Sequence, residues 1–370
     1  MALYAGLMSG TSLDGVDAVL ADFPDAAPMR VLAHVALPMP AALHSELLAL
    51  NMSGEQELHR AALAANAIAR LYADAIQALL TVAGRAAGDV TALGAHGQTV
   101  RHRPGEFDGT GYTSQLLNGA LLSELTGIDV VCDLRSRDVA AGGQGAPLVP
   151  AFHAARFAEP GVTTAVLNIG GIANVSLLHA DGRLGGFDCG PGNVLMDLWC
   201  QRHQGAPFDA GGAWATSGTV LPSLLVQALA EPFFARQPPK STGRDLFHAA
   251  WLDTLLARHG DTPAAADVQA TLAELTVRAA ADSLLEHAPD VQRLLVCGGG
   301  ALNGHLMRRL AAALPGAVVA SSDSAGLPPL QVEACAFAWL AQAFIRRQPG
   351  NRPEVTGARG PRLLGALYPA

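Results

Sequence analysis

Thr164-Ala165-Val166-Leu167-Asn168-Ile169-Gly170-Gly171-Ile172-Ala173-Asn174-Val175-Ser176-Leu177-Leu178 reads as an apolar strand from Thr164 to Leu167, a turn at Asn168 to Gly171, and a second strand from Ala173 to Leu178. Ala180-Asp181-Gly182-Arg183 then makes a hairpin turn. The same design stands at the N-terminus: Leu3 to Met8 is apolar, Ser9-Gly10-Thr11-Ser12 is a tight polar turn, and Val16 to Phe23 is apolar again, with Met29 to Leu37 as a candidate third strand. A strand, glycine turn, strand unit present twice implies a duplicated α/β fold with one unit in each half.

Between the two units, Leu63, Ala67, Leu71, Ile76, Leu79 and Leu80 recur at helical spacing and predict a long helix over Leu58 to Ala83. Strands near Thr91 to Ala95 and Ile128 to Cys132 complete a first α/β domain. The Gly/Pro-rich stretch Ala140-Ala141-Gly142-Gly143-Gln144-Gly145-Ala146-Pro147 is the best interdomain boundary, which predicts domains at 1–138 plus 350–370 and at 139–349. Beyond it come helices at Leu272 to His287, Gly304 to Leu314 and Glu333 to Arg346, a strand at Leu294 to Val296, and a Gly/Pro-rich return segment from Pro349 to Pro369.

The chain has 370 residues, room for two domains at roughly 100–200 residues each, and half of its residues are apolar, enough to fill two cores. A net charge of −8 argues against nucleic acid as partner, since that binding needs clustered cations, but leaves a small anion such as a nucleotide open. Lys240 is the only lysine, so a phosphate site must be built from backbone N–H groups, arginine or metal. The five cysteines form no C-x-x-C pair and read as free thiols of a reducing cytoplasm. Met1 to Gly10 has no basic lead and too short an apolar run for a signal peptide, and no stretch approaches ~18 apolar residues, so no membrane segment is expected.

A triphosphate needs many N–H donors at close range, which glycine turns permit. Three are present: Gly10-Thr11-Ser12-Leu13-Asp14-Gly15-Val16-Asp17, Asn168-Ile169-Gly170-Gly171, and Cys297-Gly298-Gly299-Gly300-Ala301-Leu302-Asn303. A glycine turn alone is commonest as a turn and nothing more; three in this order, two inside a duplicated unit, are more specific. The third leads from a strand into a helix and could present that helix N-terminus to phosphates. A P-loop does not fit, because Pro239 precedes Lys240 and Phe234 stands where the opening glycine belongs. Nor does a dinucleotide fingerprint: Leu302 and Asn303 follow the glycines where the last one should be.

Asp188, in Gly186-Phe187-Asp188-Cys189-Gly190-Pro191-Gly192-Asn193, is a carboxylate at a strand end before glycines and a helix start. It is placed to take a proton from a bound nucleophile, with a helix cap as the plainer alternative. His96, Gln98, Thr99, Arg135, Arg137 and Glu333 hold similar loop or helix-start positions, and a cluster of them on one side would suit a sugar.

Together, Met8-Ser9-Gly10-Thr11-Ser12-Leu13-Asp14-Gly15-Val16-Asp17, His96-Gly97-Gln98-Thr99, Gly142-Gly143-Gln144-Gly145-Ala146-Pro147-Leu148-Val149-Pro150, Phe187 to Asn193, Pro239-Lys240-Ser241-Thr242-Gly243-Arg244 and Val355-Thr356-Gly357-Ala358 resemble the anhydro-N-acetylmuramic acid kinase family from first strand to C-terminus. The resemblance implies a two-domain actin/hexokinase-like, ribonuclease H-like duplicated fold with a central interdomain cleft. It implies ATP and Mg²⁺ as cofactors, a small sugar as substrate, a homodimer, and a cytoplasmic place in peptidoglycan recycling.

By the same resemblance, Asp188 is the general base that activates a water, ring opening follows, and the released 6-oxygen takes the γ-phosphoryl group. Gly10, Thr11, Ser12, Leu13, Asp14, Gly15, Val16, Asp17, Asn168, Gly170, Gly171, Gly298, Gly299, Gly300 and Asn303 would contact ATP, and Gln98, Thr99, Arg137 and Glu333 the sugar. Asp14 and Asp17 are candidates to hold the metal through water, with neither assigned. Two departures from the family pattern, the long glycine-rich segment Arg103 to Tyr112 and Leu117 where glycine is usual, lie near the sugar residues. A kinase of another sugar or acid, and an actin-like ATP-driven assembly protein, are the alternatives.

Overall fold

The computed structural model describes residues 2–10, 12–25, 27–243, 246–260 and 263–370. Cα packing divides the chain into two compact units, Met1–Arg156 with Gln331–Ala370, and Phe157–Leu330.

In the first unit, β1 (Leu3–Met8), β2 (Gly15–Asp22) and β3 (Arg30–Pro38) form an antiparallel meander. β4 (Val90–Ala95) lies parallel to β1, and after the hairpin β5 (Gln98–Pro104) and β6 (Gly111–Leu116), β7 (Val130–Cys132) lies parallel to β4. In the second unit β8 (Thr164–Ile169), β9 (Ile172–Leu178) and β10 (Leu184–Pro191) repeat the meander, with β11 (Arg293–Cys297) parallel to β8 and β12 (Val318–Ser321) parallel to β11. The last strand, β13 (Ala366–Tyr368), returns to pair antiparallel with β7. Counted from the first strand of each unit, both sheets run in the order 3-2-1-4-5 with the same strand senses, and β13 extends one of them. That is the ribonuclease H-like arrangement in duplicate, as in actin and hexokinase, and it bears out the fold expected from the repeated unit.

Alternation along β1 shows how the sheet is covered. Leu3, Ala5 and Leu7 join the core of Ile68, Tyr72, Ile76 and Leu79 on the helix Glu57–Ala83. These buried positions recur every three or four residues, and each large side chain among them contributes about 1.5–3 kcal/mol by leaving water. Gly6 points to the other face, where a Cβ would strike the Ala334 carbonyl of the helix Val332–Ile345; Gly94 on β4 meets Phe337 in the same way. This close seat on β1 and β4 places the helix in the first unit, whereas the boundary expected at 349/350 assigned it to the second. The first segment likewise continues past 138, through the loop that Asp138 organises, to Arg156.

The second core gathers Leu167, Ile169, Val175 and Phe187 from the sheet with Leu272, Val277 and Leu284 from the helix Ala265–His287. That helix begins earlier than the expected Leu272, because Val268 and the buried Gln269 extend the covered face without an apolar run to signal it. No described helix is long and apolar enough to cross a membrane.

Candidate active site

One row of residues spans four adjacent strands of the second unit. Asp188 on β10 pairs with Asn174 on β9, Asn174 with Asn168 on β8, and Asn168 with Cys297 on β11. Residues directly opposite one another in a sheet share a face, so the carboxylate and both asparagine side chains stand on the same side. Just past this row the strands end in the glycine turns.

The register shifts between Asp188 and Gly190, leaving Cys189 as the extra residue of a bulge. A bulge turns the side chain beside it and increases the local twist. Cys189 itself is fully buried, and burial pushes its thiol up to about 12, so it stays protonated and unreactive.

Asp188 is held from a separate segment. Its N–H donates to the Lys240 carbonyl at 3.1 Å, and the Thr242 N–H donates back to Asp188 Oδ2 at 2.9 Å. Lys240 anchors this segment: Nζ donates to the Phe234 carbonyl at 3.2 Å and sits 5.6 and 5.1 Å from the ring centres of Phe187 and Phe233. Burial pulls the ammonium pKa below the usual lysine value. The expected plain helix cap for Asp188 is not its role, since the helix Val194–Gln204 starts after Asn193.

The turns interlock. Asn193 N–H donates to the Gly170 carbonyl at 2.8 Å and Gly192 N–H to the Gly171 carbonyl at 2.9 Å, while Asn193 Nδ2 reaches the Ile169 carbonyl at 3.2 Å. Gly298, at φ 76°, lies so close to Asn168 Oδ1 and the Ile169 carbonyl that no side chain fits there. Asn168 Oδ1 is buried without a hydrogen-bond partner. Gly299 to Leu302 form a single 3-10 turn, one step before the helix Gly304–Ala313. The Asn303 side chain caps that helix, accepting from His305 and Leu306 N–H at 3.1 and 3.2 Å. Its oxygen is therefore committed to the fold, and the glycines, rather than the helix N-terminus, are left as donors.

In the first unit, Gln98 Nε2 donates to the Gly10 carbonyl at 3.0 Å, and its Oε1 is buried without a partner. Ser9 O accepts from His96 Nδ1 at 3.1 Å, and Ser9 Oγ donates to the Gly97 carbonyl at 3.2 Å while accepting from the Tyr72 hydroxyl at 2.8 Å. Leu13 closes the turn in the left-handed region at φ 61°. Asp14 is exposed, and Asp17 Oδ1 lies 2.8 Å from His34 Nε2. Thr99 Oγ1 accepts from Gln115 Nε2 at 3.2 Å. Arg137 is exposed on the short helix Ser136–Ala140, and Glu333 is half-buried in the first turn of Val332–Ile345. Thr11 and Arg244 lie outside the described residues.

The structure thus brings together Asn168, Gly170, Gly171, Gly298, Gly299 and Gly300, and separately joins Gln98 to the Gly10 turn. Sequence reading did not single out Asn174, or the hydrogen bonds by which Lys240 and Thr242 hold Asp188. The signal for the latter was available: one lysine in a chain of arginines, directly after two prolines, in a segment that also carries part of the family resemblance.

A family model described as anhydro-N-acetylmuramic acid kinase matches residues 2–370. Relatives of that name include one from Variovorax paradoxus (strain S110), 62% identical and covering 100% of this chain and 99% of its own length. Another, from Bordetella petrii, is 61% identical over 100% of this chain and 96% of its own; one from Cupriavidus metallidurans is 57% identical over 99% and 97%. Among solved structures the likeness is weaker, as with an activator of 2-hydroxyisocaproyl-CoA dehydratase from Clostridium difficile, 14% identical, TM-score 0.46, covering 92% of this chain and 97% of that one.

Proposed function

This chain belongs to the anhydro-N-acetylmuramic acid kinase family, and we propose how its residues divide the reaction of that family. The enzyme is an ATP-dependent kinase with an alcohol acceptor; it opens the 1,6-anhydro ring of 1,6-anhydro-N-acetylmuramic acid with water and yields N-acetylmuramic acid 6-phosphate and ADP. In our reading Asp188 takes a proton from the water, the water oxygen bonds to the anomeric carbon as the bond from that carbon to the 6-oxygen breaks, and the 6-oxygen accepts the γ-phosphoryl group. Phosphoryl transfer demands little covalent chemistry from the protein beyond positioning and charge stabilisation.

The row from Asp188 to Cys297 carries this reading, because it sets a fixed carboxylate on the same sheet face as Asn168, at the level where the glycine turns begin. Backbone N–H groups of Gly170, Gly171, Gly299 and Gly300, with those of Gly10 to Asp17, serve the phosphates. Gln98 Oε1, buried and in need of a donor, suits a hydroxyl or amide of the sugar, with Thr99, Arg137 and Glu333 as further sugar contacts.

Among the described residues no group of three or more His, Cys, Asp or Glu could hold a metal. Magnesium that arrives on ATP fits this donor set, since that ion keeps several waters and takes only one or two carboxylates; Asp14 is the more accessible candidate, as Asp17 is engaged with His34. When bound, the ion neutralises charge on the β- and γ-phosphates. We further read the protein as a cytoplasmic homodimer acting in cell-wall recycling.

Turnover in oxygen-18 water tests the sequence of events. One heavy oxygen in the sugar and none in the phosphoryl group, read before anomeric exchange, supports it; a heavy oxygen in the phosphoryl group overturns it.

A further inference from the structure

Resting on the assignment of Asp188 as base, we propose that Thr242 is a further catalytic residue, whose hydroxyl accepts a hydrogen bond from the attacking water while Asp188 takes that water's other proton. Two observations carry this. Thr242 Oγ1 is buried and has no hydrogen-bond partner among the described residues. The N–H of the same residue is bonded to Asp188 Oδ2 at 2.9 Å, which makes Thr242 a direct neighbour of the carboxylate.

A hydroxyl buried without a partner costs about 1–3 kcal/mol, and such a cost is tolerated where a ligand supplies the missing group. Here the ligand is defined by its neighbour. A carboxylate that activates water accepts one of its two protons; unless the second is also held, the water rotates and its lone pair is not aimed. Thr242 Oγ1 is the acceptor in place for that second proton.

The segment that bears Thr242 is tied to Asp188 at two points. Asp188 N–H donates to Lys240 O on one side of the carboxylate's own residue, and Thr242 N–H closes the other. Lys240, 9% exposed, is clamped between two aromatic rings and the Phe234 carbonyl, where a desolvated ammonium gains from both rings. In the chemical step one proton passes from water to Asp188, the bond from oxygen to the anomeric carbon forms, and the bond to the 6-oxygen breaks with its electron pair passing to that oxygen. Thr242 keeps its own proton throughout and supplies orientation alone.

Thr242→Val in the full-length protein preserves the N–H bond to Asp188 and removes only the hydroxyl, and Thr242→Ser restores it. With ATP and the anhydro sugar, Thr242→Val is expected to lower kcat about 10–100-fold, the scale of a misplaced reactant, with both KM values and the melting temperature near the parent's. Thr242→Ser should recover most of the rate. A Thr242→Val kcat within twofold of the parent, or a Thr242→Ser as slow as Thr242→Val, overturns the proposal. If Thr242→Val melts early, Thr242→Ala takes its place, and a parental rate there overturns it equally. Asp188→Asn is measured alongside: an inactive Asp188→Asn with an unaffected Thr242→Val refutes Thr242 alone, whereas a fully active Asp188→Asn refutes the base assignment on which this rests.

Discussion

Arg135 donates to His96 Nε2 from both Nε and Nη2, at 3.2 and 3.0 Å. An acceptor at Nε2 requires the proton on Nδ1, and Nδ1 indeed meets the Ser9 carbonyl at 3.1 Å. His96 is therefore neutral in a single tautomer. Burial first, and the Arg135 charge second, push its pKa down to about 3. Through Ser9 this imidazole braces the start of the Gly10 turn.

A histidine kept neutral in the fold has a pH signature. Its folded pKa lies below the unfolded value near 6.5, so the unfolded chain binds the proton first and stability is lost as pH falls from about 6.5 towards 3, at about 1.4 kcal/mol per pH unit. His153, also fully buried and pushed down to about 3, adds the same slope. Urea unfolding at pH 7 and pH 5 should show a marked loss for the parent. The loss should be smaller in His96→Asn, which is less stable at pH 7 but has one fewer group to titrate. An equal loss in both contradicts the neutral assignment.

Gln98→Met removes the buried Oε1 and the Nε2 that props the Gly10 carbonyl. We expect KM for the sugar to rise roughly tenfold, the worth of one hydrogen bond, and to rise more than KM for ATP. Steady-state kinetics with each substrate varied separately measures this. A change confined to ATP moves Gln98 to the nucleotide side.

Gly298→Ala forces a Cβ against Asn168 Oδ1 and the Ile169 carbonyl from a left-handed backbone. The expected cost is about 1–3 kcal/mol of stability and at least tenfold in ATP affinity by calorimetry. Gly182→Ala is the control: its φ is 87°, but open space surrounds it, so it should lose some stability and leave ATP affinity unchanged.

Asn351→Leu should destabilise the protein by about 1–3 kcal/mol in urea unfolding. Asn351 Nδ2 donates to the buried Asp138 Oδ1 at 2.6 Å, beside Thr356 Oγ1 at 2.8 Å, and Asp138 Oδ2 accepts from Gly145 N–H at 2.8 Å. This carboxylate ties the Gly142 to Gly145 loop to the C-terminal segment.

The fold was legible because its repeated unit is local: a strand, a glycine turn and a strand are all contiguous, and the hydrophobic pattern places Asn168 near the end of its strand; Asp188, expected at a strand end, instead lies inside β10, which runs on past a bulge to Pro191. What could not be read depends on contacts distant in sequence. Asn303 looks like a ligand residue beside three glycines, but its oxygen is spent on a helix cap. Thr242 looks like a failed P-loop threonine, but it is 54 residues from the carboxylate it holds. The helix Val332–Ile345 shows no sign of which unit it serves until Gly6 and Gly94 are seen pressed against it.

The central claim is that Asp188 acts as the base, and the kcat of Asp188→Asn with ATP and the anhydro sugar tests it most directly. Asparagine keeps the shape and can still accept the Thr242 N–H, so the account predicts a fall of about two to four orders of magnitude with ATP affinity nearly unchanged. Undiminished turnover, or a loss of ATP affinity in place of rate, contradicts it.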